Sequence, residues 1–125
     1  MKESRSSYLS TRDIANLNLA CLPIKEALGD LGYGPYLVGS SSERPDFRDV
    51  DIRFLMADEH FDALFWRRDR FWSLVCWAIS EWLAKQTGLP IDFQIQRLSE
   101  ANEKFQGSRN PMGVPRLFAG GGDFR

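Results

Sequence analysis

Asp49–Phe54 constrains the fold of this chain more than any other stretch, because its polar and apolar residues alternate. A period of two is typical of a strand with one buried face. The apolar side chains then face a core, while Asp49, Asp51 and Arg53 share the opposite face. Side chains two residues apart on that face are separated by about 6.5–7 Å. Two carboxylates so placed repel each other, so the pattern predicts a cation between them, and Mg²⁺ with substrate phosphates is the usual case.

A short apolar run, Tyr36–Val38, precedes this strand and ends in Gly39-Ser40. This is the signature of a buried strand that gives way to a tight turn. Backbone N–H groups at a turn or at the start of a helix bind phosphate oxygens. We therefore predict that phosphates lie at one end of this stretch and a metal at the other.

A further strand is predicted over Ile91–Gln96, which alternates as regularly and carries Asp92, Gln94 and Gln96 on one face. If this strand pairs beside the earlier one, Asp92 completes a cluster of three carboxylates. Such a cluster suits two-metal phosphoryl or nucleotidyl transfer, in which metals about 3.5–4 Å apart hold the attacking and leaving oxygens.

Gly39-Ser40, the Asp49-x-Asp51 pair and a later Asp92 on its own strand together resemble the DNA polymerase beta-like nucleotidyltransferase superfamily. The closest likeness is to its small, single-domain "minimal nucleotidyltransferase" members, over about residues 33–96. The resemblance implies an α+β fold, with a small mixed or antiparallel sheet of three or more strands packed on helices. The chain departs from the family in the loop after Ser40, which contains no glycine.

The resemblance implies metal-dependent nucleotidyl transfer, with ATP as the default donor and Mg²⁺, or alternatively Mn²⁺, as the metal. The predicted catalytic and metal-binding residues are Asp49, Asp51 and Asp92. The predicted nucleotide-binding residues are Gly39, Ser40, Ser41, Arg44, Arg53 and Gln94. The strand alternation leaves two roles open for Arg53: it neutralises the acidic cluster in the metal-free protein, or it binds a phosphate beside the metals.

Length and composition indicate one domain over residues 1–125, with a polar lead at 1–9. A formal charge of −1 argues against nucleic acid or an anionic membrane as a partner. Cys21 and Cys76 fall in helical patterns and are interpreted as buried thiols in a reducing compartment. No signal peptide or membrane-spanning run is visible, so we expect a cytoplasmic protein.

Helical patterns occupy much of the remaining chain. Ser10 or Thr11 is predicted to cap a first helix, in which Pro23 predicts either a kink or a division into two helices. Asp58 is predicted to cap a short helix, and Ser99–Phe105 to form another.

A long helix is predicted over Phe71–Gln86, ended by Gly88. We expect one broad apolar face to pack on the sheet, formed by Phe71, Leu74, Val75, Ala78, Ile79 and Trp82. The alternative is that the aromatic edge of this helix is a protein interface.

The C-terminal segment, residues 107–125, is rich in Gly, Pro and Arg and lacks periodicity, so it is predicted to be a loop-like tail with turns at Asn110–Gly113. We interpret it as covering an edge of the sheet. The alternative is that Arg109 or Arg116 folds back over the phosphates.

Three functions follow from these observations, and the near-neutral charge disfavours one of them, a metal-dependent nuclease built on the same carboxylates. The first is a metal-dependent nucleotidyltransferase that moves an NMP, by default AMP from ATP, to a hydroxyl of a protein or small molecule. The alternative is a catalytically inactive module of the same fold that binds a nucleotide or a partner protein, such as a cognate toxin. Larger family members bind the acceptor with an added helical domain for which this chain has no room. The acceptor site is therefore expected to come from a homodimer mate or a partner protein.

Overall fold

The structure is a computed structural model and describes residues 9–39, 49–105 and 107–115. Its elements are α1 (Thr11–Leu28), a 3₁₀ turn (Gly29–Leu31), β1 (Gly32–Val38), β2 (Val50–Met56), α2 (Asp58–Phe65), α3 (Asp69–Thr87), β3 (Ile91–Arg97), α4 (Leu98–Lys104) and β4 (Asn110–Pro111). The predicted α+β fold is confirmed. None of the helices in the described ranges is both long and apolar enough to cross a membrane.

The described strands form one mixed sheet in the order β3-β2-β1-β4. β1 is antiparallel to both of its neighbours, whereas β2 and β3 are parallel. A parallel pair needs a crossover connection, which α2 and α3 provide. Because β2 and β3 run in the same direction, the aspartates near the start of each strand lie side by side. The condition set for the carboxylate cluster, that the Asp92 strand pairs beside the Asp51 strand, is met.

The core lies between the apolar face of the sheet and helices α1 and α3. Its largest contributions are Leu17, Cys21 and Ile24 from α1, Ile52, Phe54 and Met56 from β2, Cys76 and Leu83 from α3, and Phe93 and Ile95 from β3. Full burial of each large apolar side chain stabilises the fold by about 1.5–3 kcal/mol. A one-residue slip of β2 would expose all of its inward side chains, so this burial also holds the polar residues of β2 on the opposite face.

Helix α1 begins where its capping residue predicts. The Ser10 hydroxyl accepts a hydrogen bond of 3.0 Å from the backbone N–H of Asp13. The expected division at Pro23 is not found, since the helix continues to Leu28 and is followed by the 3₁₀ turn. Pro23 is exposed, and buried side chains before and after it hold the helix against the core as one element.

The face of helix α3 that packs on the sheet overlaps the predicted one only at Val75 and Ile79. The buried and half-buried side chains are Trp72, Val75, Cys76, Ile79 and Leu83. Phe71, Leu74 and Trp82, which were expected in the core, are exposed.

Hydrogen bonds to β3, at one edge of the described sheet, explain this rotation of α3. The Trp72 indole N–H donates to the Ile95 carbonyl at 2.7 Å, and the Ser80 hydroxyl accepts from the Phe93 N–H at 2.8 Å. Between them, the Cys76 sulfur accepts from the Ile95 N–H at 3.4 Å. These side chains, spaced four residues apart, occupy the backbone groups that an edge strand would otherwise expose.

The described part of the tail covers the other edge of the sheet, as predicted. Asn110 pairs with Leu37, and the N–H of Met112, which is buried, donates to the Pro35 carbonyl at 2.8 Å. The prediction of turns at Asn110–Gly113 is therefore wrong for its first two residues, which form β4. Contact with an open strand edge extends a segment that has no strand pattern of its own.

A buried asparagine of α1 fastens this tail. Asn18 is 5% exposed, and its side-chain amide donates to the Val114 carbonyl at 2.8 Å and accepts from the Val114 N–H at 3.1 Å. The side chain therefore pairs with the tail as a neighbouring strand would.

Replacement of Asn18 by alanine should lower the free energy of unfolding by about 1–3 kcal/mol, because the Val114 backbone groups lose their partner. Urea denaturation measures this loss. Asn16→Ala, at an exposed position of the same helix, is the matched control and should change stability much less. Equal stability of the two variants would contradict the anchoring role of Asn18.

Candidate functional site

A cavity of about 610 Å³ lies over the polar face of the sheet. Its floor includes Asp51, Arg53 and Gln94, which the alternation of β2 and β3 places on that face. Side chains of α2, α3 and α4 form its walls, and Arg109 from the tail completes them. The same burial that builds the core therefore presents the polar residues to this cavity.

Asp51 and Asp92 are register partners on the parallel strands β2 and β3, and we call them the carboxylate pair. The guanidinium of Arg53 lies between them, with Nη2 at 3.3 Å from Asp92 Oδ2 and 3.8 Å from Asp51 Oδ1. Its Nη1 donates to the backbone carbonyls of Asp92, at 2.7 Å, and Ile52, at 3.1 Å. One cation thus already lies where two carboxylates converge, and the first of the two predicted roles for Arg53 is the one seen.

The surroundings of Asp51 disfavour the charged form of its carboxyl group. Burial raises the pKa of the Asp51 carboxyl above its ordinary value, and the charges of Asp92 and Asp49 raise this pKa further. Arg53 opposes them by lowering it. Since the net direction is upward, Arg53 does not fully offset the burial and repulsion, and an additional cation would stabilise the ionised pair.

Gly39 brings the end of β1 against this carboxylate. Its φ of +83° is a left-handed conformation that side chains other than glycine rarely adopt. A Cβ atom at this position would overlap the Asp51 carboxylate. Glycine is therefore required here for two independent reasons, and the predicted phosphate turn and the predicted metal ligand are direct neighbours.

The predicted site residues are partly brought together. Those that line the cavity are Gly39, Asp51, Arg53 and Gln94. Asp92 adjoins the cavity through Arg53, whereas Asp49 is exposed just before β2 and acts on Asp51 only through its charge. Ser40, Ser41 and Arg44 lie outside the described residues. Within the described ranges, no group of three or more His, Cys, Asp or Glu is arranged to hold a metal ion.

Comparisons with protein-family models, with curated proteins and with solved structures found no match to this chain. The likeness to nucleotidyltransferases therefore rests on the residues quoted above and stays a prediction.

Several residues that line the cavity were not predicted as site residues, namely Phe61, Trp72, Arg97, Glu100, Lys104 and Phe105. Only the helical spacing of Ala101 and Lys104, three residues apart, offered a signal that Lys104 faces the same way as a buried residue. The others depend on how α2 and α4 pack around β3, which local patterns do not reveal.

Arg97, at the end of β3, holds helix α2 in place at the wall of the cavity. It forms two parallel bonds to the Asp62 carboxylate, of 3.0 and 2.9 Å, and lies 3.4 Å from Asp58. The hydrogen bond from Arg97 lowers the pKa of Asp62. Asp58 was expected to cap α2 but accepts from the Ser99 N–H at 3.0 Å, in the first turn of α4. This bond lowers the pKa of Asp58 and ties α2 to α4.

Asp51 and Asp58 should affect stability in opposite directions. A carboxyl with a raised pKa in the folded protein destabilises it at neutral pH, and this penalty disappears below the ordinary pKa, where the group is protonated in both states. A carboxyl with a lowered pKa stabilises the fold at neutral pH, and that contribution is lost as pH falls through the folded-state pKa.

In metal-free buffer with EDTA at pH 7, Asp51→Asn should therefore raise the unfolding temperature by a few degrees, and Asp58→Asn should lower it. Both differences should shrink towards pH 3. Thermal unfolding followed by circular dichroism across this pH range measures both. A lower unfolding temperature for Asp51→Asn at pH 7 would contradict the prediction that the ionised Asp51 carboxylate destabilises the folded protein.

Proposed function

We propose that this protein is a cytoplasmic, metal-dependent nucleotidyltransferase that moves an NMP, AMP from ATP, to a hydroxyl of a protein or small molecule. The observation that carries the proposal is the in-register parallel pairing of β2 and β3, which sets Asp51 opposite Asp92. Gly39 lies against the same carboxylate, at the end of β1. The predicted phosphate turn would thus adjoin the acidic residues. The choice of ATP rests on the family resemblance alone.

The carboxylate pair, with Asp49 beside it, would hold Mg²⁺ or Mn²⁺. Carboxylate oxygens are the ligands that these hard cations prefer. The presence of the Arg53 guanidinium between the two carboxylates supports this assignment, because it marks the position as one that attracts positive charge. A bound cation would neutralise the charge that develops on the phosphate oxygens.

The remaining residues would bind and orient the substrate. Because Gly39 has no Cβ, the end of β1 packs directly against the Asp51 carboxylate, so a phosphate held by the metal would lie next to this turn. If the carboxylate pair held a metal, Arg53 would be available to pair with a phosphate oxygen. The Gln94 amide faces the same cavity as a hydrogen-bond donor and acceptor. Cations and donors fixed in advance are the main source of rate enhancement in this kind of transfer.

A second candidate is the inactive module of the same fold that binds a nucleotide or a partner protein. The exposed face of α3 favours it. Leu74 is 59% exposed and Trp77 62%, and they lie three residues apart on one helix face, with Phe71 and Trp82 nearby. Contiguous apolar surface of this kind is typical of protein interfaces. A second copy of the chain or a partner such as a cognate toxin would cover it.

Thermal unfolding with Mg²⁺ and each NTP in turn tests the first candidate. A ligand that binds only the folded protein stabilises it by about 2.7 kcal/mol at a hundredfold excess over its Kd. We expect a metal-dependent rise for one NTP, lost in Asp92→Asn and retained in Asp69→Asn, a matched change at the exposed start of α3. Each variant is compared with its own ligand-free unfolding temperature.

A rise that does not need metal would favour the nucleotide-binding module. No rise for any NTP would contradict both nucleotide-based functions and favour the protein-binding one.

The Arg53→Gln variant tests whether the Arg53 guanidinium and Mg²⁺ compete for the carboxylate pair. Without metal the variant should lose about 1.5–3 kcal/mol of stability, because Asp92 loses a charged hydrogen-bond partner and Asp51 loses an ion pair. Added Mg²⁺ should restore more stability to this variant than to the wild type. Calorimetric titration of Mg²⁺ should accordingly show tighter binding in the variant. Arg12→Gln, on the exposed side of α1, is the control, and an equal Mg²⁺ response in Arg53→Gln and wild type would contradict competition.

A further inference from the structure

The cavity contains four cationic side chains, and they fall into two groups. Arg53 pairs with the carboxylate pair, and Arg97 pairs with Asp62, Asp58 and Glu100. Within the described part of the chain, no carboxylate lies within ion-pair distance of the other two, Lys104 and Arg109. Among the described residues, these two positive charges therefore face the cavity without an ion-pair partner.

Arg109 is held in place by contacts that leave its charge unneutralised. Its Nη1 donates to Asn102 Oδ1 at 2.8 Å and its Nη2 to the Ala101 carbonyl at 3.3 Å. The guanidinium carbon lies 5.2 Å from the centre of the Phe105 ring. An arginine has five N–H donors, so further donors remain for a ligand. The side chain is thus oriented in advance, which reduces the entropy lost when it binds an anion.

The sheet sets the distance from Arg109 to the carboxylate pair. Val38 pairs with Asp51, and Leu37 pairs with Asn110. Arg109 precedes Asn110, so it lies in the same row across the sheet as Val38 and Asp51. With neighbouring strands about 4.8 Å apart, the backbone of Arg109 lies about 10 Å from that of Asp51. The cavity therefore has an acidic part at Asp51 and a basic part at Arg109, with backbones about 10 Å apart.

We propose that Lys104, Phe105 and Arg109 form an anion subsite for a phosphate monoester next to an apolar group of the ligand. The two uncompensated charges match a phosphate monoester, which carries about −1.5 to −2 at pH 7. The Phe105 ring provides the apolar contact beside them. The role of the subsite rests on the proposed function: the nucleotide occupies the acidic part of the cavity, and the subsite holds a phosphorylated acceptor.

Calorimetric titration with phenyl phosphate in EDTA tests the subsite without metal or nucleotide. We expect saturable binding to the wild type, no binding of benzyl alcohol, and binding weakened about tenfold or more in both Lys104→Gln and Arg109→Gln. Lys104→Gln breaks no hydrogen bond or ion pair of the described structure, so a loss of binding there is not a loss of fold. Lys85→Gln, on the exposed side of α3, removes the same charge elsewhere and should bind as the wild type does.

Absence of binding to the wild type, or equal binding by wild type and both cavity variants, would overturn the subsite. A second titration, with Mg²⁺ and a non-hydrolysable ATP analogue present at saturation, tests its role. Retained phenyl phosphate binding supports an acceptor subsite, whereas competition assigns the two cations to the nucleotide's own phosphates and overturns the acceptor role. If no NTP binds, the proposed function fails, but the metal-free titration still decides whether the subsite exists.

Discussion

The parallel pairing of β2 with β3 is the interaction on which the rest of this structure depends. A parallel neighbour requires a crossover, and α2 and α3 form it, while α1 and α3 cover the apolar face of the sheet. The pairing leaves β3 at an edge of the described sheet, where Trp72, Cys76 and Ser80 of α3 occupy its backbone groups. These contacts hold the register of β3, and with it the position of Asp92 opposite Asp51.

The same pairing concentrates negative charge on a half-buried face. Arg53 reduces the repulsion, yet the pKa of Asp51 remains raised. The ionised form of Asp51 therefore lowers stability, whereas the buried side chains on the other face of the same strands raise it. Locally unfavourable electrostatics of this kind are common where a protein binds ions or substrates, because a ligand then relieves them.

The tail and α4 supply the basic part of the cavity. α4 follows β3 directly and carries Lys104 over the polar face, while β4 and the Asn18 contact hold Arg109 beside β1. A segment without periodicity thus becomes part of a site because it finds an unpaired strand edge. The acidic part of the cavity comes from the sheet itself, and the basic part comes from elements added after its last long strand.

Local signals in the sequence determined β2 and β3, the face of their polar residues and two helix ends. Alternation placed β2 and β3 and chose the face of Asp51, Arg53 and Gln94, because a period of two leaves a strand only one way to bury its apolar residues. Ser10 and Gly88 marked helix ends, since capping needs only neighbouring residues.

Only the tertiary structure decided the features that depend on distant partners. Hydrogen bonds to β3 decide which face of α3 packs on the sheet. Asp58 accepts a hydrogen bond from the Ser99 N–H and so does not cap α2. The tail forms a strand because it pairs with an open edge of β1. Of the site, the sequence predicted the acidic part, whose residues lie on two regular strands. It did not predict Lys104 and Phe105 as site residues, because their place in the cavity depends on packing between elements that no local periodicity encodes.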